Sequence, residues 1–246
     1  MNEPKLLTRA LEKSEYPEWD EMVELSPQGT IFSTSNWISL TSKALKVDFT
    51  IYGCFSEDRL VGGCPLYHGK SFGILKSASN TCGMMPYSGV LLERILDSSV
   101  RRFERKQNEI LTSLAAFFEK IDATKVMVSN PPKLFDIRPF TQRGWSSEIR
   151  YAYFLDLKNL NYSRDVKRNV KSALKNSVSV SRSWDIESYY TLFQRTFENQ
   201  GLRPPVPKHY LEYLCEYIAT NDLGDMWVAK TQDGEWIAAE IFLHDN

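Results

Sequence analysis

The stretch RDVKRNVKSALKNSVSVSRSW (164–184) holds Arg164, Lys167, Arg168, Lys171, Lys175 and Arg182 against a single acid, Asp165, in a chain whose net charge is only −1. Arg164, Arg168, Lys171 and Lys175 recur at i, i+4, i+7 and i+11, which is one stripe of a helix. Val166, Val170, Ala173 and Leu174 fall on roughly the opposite side. Three uses fit such a stripe: binding nucleic acid, binding the phosphates of a small molecule, or serving as an ordinary solvated face. No recognised DNA- or RNA-binding motif accompanies the charge, so sequence-specific DNA recognition is excluded.

Other side chains could do chemistry. Glu240 lies in EWIAAEIFLH, where strand spacing puts it on one face with Ala238 and Phe242. A carboxylate there can take a proton from an attacking nucleophile, or simply face solvent. Arg203 sits in the proline-stiffened loop LRPPVP. Trp37 and Tyr210 could line a substrate cleft or pack in a core. Cys215 and His209 have the residue types of a nucleophile and its base. Cys215 is central in the apolar face of KHYLEYLCEYIAT, however, which is the place of a core cysteine.

The chain must fold enough core to position these groups. It has 246 residues, 42% apolar and 13% aromatic, enough for one large domain or two small ones. Its four cysteines form no C-x-x-C pair and its three histidines are scattered, so neither a metal site nor a disulfide framework is expected. The first residues lack the apolar stretch of a signal peptide, and no apolar run approaches the ~20 residues of a spanning helix. A cytoplasmic protein with reduced thiols and no membrane span is expected.

Periodicity predicts helices over 16–26, 32–45 (capped by Ser33 or Ser35), 101–121, 164–176, 186–201 and 208–220. Hairpins are predicted over 48–70, turning at SEDR, and 226–244, turning at Asp233–Gly234. Residues 72–92 read as extended with turns, KVMVSNPP (125–132) as a short buried strand, and RYAYFLDL (150–157) and SVSVSRSW as strands.

The two hairpins resemble one another. IYGCFSEDRLVGGCPLYH (51–68) aligns without a gap on WVAKTQDGEWIAAEIFLH (227–244), and the same offset sets Trp37 on Tyr213. Duplication predicts a first unit over 1–150 and a second over 151–246. The first copy continues after its hairpin through strand, helix and strand. The second is therefore expected to be incomplete at its C-terminus, within a parent of roughly 330 residues.

Two helices, an antiparallel hairpin, a strand, a helix and a strand, in tandem and joined by a basic segment, resemble the FemAB-like acyltransferase group of the GNAT superfamily. The residues carrying the resemblance are GTIFSTSNW (29–37), LVGGCPLYH (60–68), PYSGV (86–90), GW with YAYFLDL (144–157), SRDVKRNVKSALKNSVSV (163–180), LFQRTFENQGLRPPVPKHYLEYL (192–214) and the last hairpin. The resemblance implies an α+β fold of tandem GNAT-like units, each a mostly antiparallel central sheet flanked by helices. It implies transfer of an activated acyl group to a small-molecule or nucleotide-linked amine, the donor being acyl-CoA or, as in Fem enzymes, aminoacyl-tRNA, with tRNA then a partner. It implies a cleft shared by the halves, lined by Trp37 and Tyr210, with Arg203, Lys167, Arg168 and Lys171 on substrate phosphates and Glu240 as general base. The chain departs from the family in two respects: SNTCGMMPYSG lacks the R/Q-x-x-G-x-G/A donor loop, and no helical-arm insertion is present. A non-catalytic binding module is the rival expectation.

Overall fold

The computed structural model describes residues 6–71, 75–94 and 99–244. The chain divides into two compact units, Met1–Arg150 and Tyr151–Asn246. Both are α+β, built on sheets that are largely antiparallel and flanked by helices.

In the first unit β1 (Leu6–Ala10) pairs antiparallel with β2 (Asp48–Ser56), β2 with β3 (Arg59–Ser71), and β3 with β4 (Leu75–Ser79). The two-residue β5 (Leu91–Leu92) joins β3 at Gly62 and Gly63, and β6 (Lys125–Met127) runs parallel to β4. Adjacent glycines show which helices cover which face. A Cβ built on Gly62 would meet Ile110 Cγ2 at 2.6 Å, and one on Gly63 would meet the Trp19 ring at 2.7 Å. Successive strand residues point to opposite faces. So α1 (Tyr16–Leu25), which carries Trp19, lies on one side, and α3 (Val100–Phe118), which carries Ile110, on the other. On the α3 side Ile110, Leu111, Leu114, Ala115 and Phe118 are buried against Cys54, Val61, Cys64, Leu66 and Ala78. The short α4 (Arg138–Thr141) adds Phe140 to this core.

The helix over 32–45 starts later than its composition suggests. It is α2 (Ser35–Leu45), capped by neither expected serine but by Thr34, whose side chain accepts from the Trp37 backbone N–H. Ser33 instead ends a 3₁₀ turn (Ile31–Ser33) and donates to Ser88 O at 2.6 Å. Ser35 is the first helical residue, its N–H held at 2.7 Å by the Asp20 carboxylate.

Two predicted strands differ from expectation. Residues 125–132 are an edge rather than a buried strand: only Lys125–Met127 pairs, and Lys125 and Met127 are exposed. Residues 150–157 form no strand; Tyr151, Tyr153, Phe154, Leu155 and Leu157 are exposed, and no described strand lies alongside them. Alternation supplies a pattern, but a strand needs a partner for its backbone groups. Of the predicted extended region 72–92, residues 72–74 lie outside the described ones.

In the second unit β7 (Ser179–Arg182), β8 (Gly224–Lys230) and β9 (Trp236–Leu243) form an antiparallel sheet in that order. Before β7 comes α5 (Arg164–Lys175), and between β7 and β8 come α6 (Ile186–Glu198) and α7 (Lys208–Thr220). Asp185 caps α6, accepting from the Ser188 N–H, and Gly201 at φ +69° ends its last turn.

The hairpins share a bulge, opposite Val61 in one and Ile237 in the other, so β9 falls on β3 at the ungapped offset. Their turns differ. Ser56 pairs with Arg59 across two residues, whereas Thr231 N–H bonds Glu235 O across three, with Gly234 at φ +83°. The alignment therefore needs one gap in the turn. Trp37 and Tyr210 are each the third residue of their helix, whereas Tyr213 is the sixth of its own.

Candidate functional site

The residues with most chemical potential in the second unit lie on one face of its sheet. Met226 and Val228 are buried on the side where α6 and α7 pack. The alternate residues point the other way. There Trp227 stands opposite Glu240, Asp225 opposite Phe242, and Ala229 opposite Ala238. Ala238, Glu240 and Phe242 are all exposed. The Arg182 guanidinium lies 5.0 Å from the centre of the Trp227 ring and 3.2 Å from Asp225 Oδ1. His244 Nε2 is 3.6 Å from Asp225 Oδ2. Glu240 is thus an open carboxylate beside an indole that already holds one cation, and such a group can accept a hydrogen bond or a proton from an amine. The field of Glu240 also reaches α6: burial pushes the Tyr189 phenol up, and the nearby Cys215 and Glu240 add to it.

The remaining expected site residues fall in three environments. Lys167, Arg168 and Lys171 are exposed on α5, whose first N–H groups are capped by Ser163. Arg168 pairs with Asp165 at 3.1 Å; among the described residues no acid is within ion-pair distance of Lys167 or Lys171. The opposite stripe of α5 is also bare, with Val166, Val170 and Leu174 exposed. Arg203 is exposed in the loop between α6 and α7. Trp37 and Tyr210 are core residues, 2% and 0% exposed, and Trp37 packs edge-on against Phe32 at 5.3 Å. Burial pushes the Cys215 thiol up to about 12, which suits packing rather than nucleophilic attack.

Two features were not read from the sequence. The pairing of Trp227 with Glu240 depends on the extra turn residue, so the ungapped comparison hid it. The second feature is a buried polar knot in the first unit, at the carboxyl end of the parallel pair β4–β6. Ligands bind at such strand ends in open sheets. Here Asn80, fully buried, donates from Nδ2 to Ser129 O at 2.9 Å and accepts from Ser129 N–H at Oδ1 at 2.7 Å, extending the ladder past Ser79 by one side-chain rung. Asn130 Oδ1 accepts from Val90 N–H, and Gly89 N–H reaches Ser129 O. Gly89 has φ +66°, and a Cβ there would meet Pro131 Cδ at 2.3 Å. The loop expected to differ from a donor loop is therefore tied down by its own amides. Its Asn80 and Asn130 were visible only as isolated polar residues.

Among the described residues no group of three or more His, Cys, Asp or Glu side chains is placed to hold a metal ion. Nor is any described helix long and apolar enough to cross a membrane.

The architecture is that of FemX. The chain superposes on the crystal structure of FemX with a TM-score of 0.59 at 13% identity, over 92% of this chain and 58% of that one. It therefore shares the fold of FemX, and spans less than two thirds of the FemX chain. An acetyltransferase from Trypanosoma brucei matches 62% of this chain and 100% of its own at 15% identity, with a TM-score of 0.38. The glucosamine N-acetyltransferase region of a fungal β-N-acetylglucosaminidase matches 96% of this chain and 27% of its own at 15% identity, with a TM-score of 0.40. Scores that small add no weight to the assignment. No family model matches the chain, and no curated protein matches it in sequence.

Proposed function

We propose that this chain works in N-acyl transfer, moving an activated acyl group from acyl-CoA to an amine acceptor. The observation that carries the reading is the FemX-like fold across 92% of the chain. In this reading the amine nitrogen attacks the acyl carbonyl, the C–N bond forms, and the thiol of the donor leaves. Glu240, exposed on β9 beside Trp227, takes the proton that the amine must lose. The aromatic neighbour supplies a surface on which an ammonium or its alkyl chain can rest. The first unit, with Asn80 tied to Ser129, contributes framework rather than a second donor site.

One observation favours a second donor. The cations of α5 stand in solvent with a single ion pair described among Lys167, Arg168 and Lys171, which suits a polyphosphate or aminoacyl-tRNA. Binding separates the cases. A ligand that binds the folded state raises its melting temperature by mass action. A rise with acetyl-CoA or longer acyl-CoAs supports the main reading. A rise with aminoacyl-tRNA that fades in salt supports the second. No rise with either supports a non-catalytic binding module.

A further inference from the structure

We draw no further inference here: the strongest candidate, the polar groove of about 730 Å³ along α3 lined by Leu6, Arg101, Glu104, Arg105, Asn108 and Arg138 among others, carries nothing, since Arg105 and Arg138 already meet Glu109 and Asp136 of the chain itself and nothing in the structure shows what would fill it.

Discussion

At Gly62 the first unit has no room for a methyl group. Its Cβ would lie 2.6 Å from Ile110 Cγ2 and 3.0 Å from the Leu91 carbonyl, between a packed helix and a paired backbone. Gly→Ala usually gains under about 1 kcal/mol from the unfolded state, while overpacking costs roughly 1–3 kcal/mol. Gly62→Ala is therefore expected to lower stability by about 1–2 kcal/mol in urea unfolding. Ala238, its counterpart, is exposed, and Ala238→Ser should be nearly silent. Asn80 tests the knot. Asn80→Ala removes both bonds to the half-buried Ser129 and leaves its N–H without that partner, at an expected cost of about 2 kcal/mol. A loss under about 0.5 kcal/mol in the same measurement would show that the knot is not structural. Neither position was legible beforehand: a Gly-Gly pair in a strand signals close approach without saying of what, and Asn80 resembles any loop asparagine.

The elements divide by how much of their stability is local. The amphipathic run of α3 is predicted by its periodicity and becomes the helix that closes the core, because Ile110, Leu111, Leu114, Ala115 and Phe118 all find buried partners. The run 150–157 has an equally good pattern and no strand, because pairing is not a property of one segment. Trp37 and Tyr210 each stand third in their helix, a likeness in placement that a fixed sequence offset does not show. Both rings are buried in their own units. For α5 the pattern was plain and the purpose was not, since exposed cations look alike whatever they bind. Replacing Lys167, Arg168 and Lys171 with Gln should leave thermal stability within about 0.5 kcal/mol, because these side chains are exposed. If α5 meets a polyphosphate, the triple variant should also lower the slope of log affinity against log salt by up to about 3, measured with tRNA as probe. An unchanged slope would return the stripe to a solvated face.

For the whole molecule, acid sensitivity should arise in two steps. Burial holds the His68 imidazole below its ordinary value of 6.5, an effect partly offset by Asp48, while Thr50 Oγ1 lies 3.0 Å from Nε2. The unfolded chain then binds the extra proton first. Stability is fully present above pH 6.5 and declines as pH falls below it, through the folded value. His68→Gln, which can still bond Thr50, should flatten that decline in urea midpoints measured at neutral and mildly acid pH. At lower pH the Arg9 guanidinium matters. Its bidentate hydrogen bonds, with the Glu12 backbone N–H, hold Glu15 at about 2, so that contribution is lost only as pH falls from 4.5 toward about 2.

The fold and the open carboxylate together define the central claim, that the chain takes part in moving an acyl group to an amine. The most direct measurement is mass-spectrometric detection of acylated amine, with free CoA as co-product, from wild type and Glu240→Gln given acyl-CoA and a panel of amines. The account predicts acylated product from wild type and a rate lower by about 10²–10⁴-fold in Glu240→Gln with the fold retained. Equal rates in the two proteins would remove Glu240 from the chemistry. No product from wild type with either acyl-CoA or aminoacyl-tRNA as donor would contradict the claim itself.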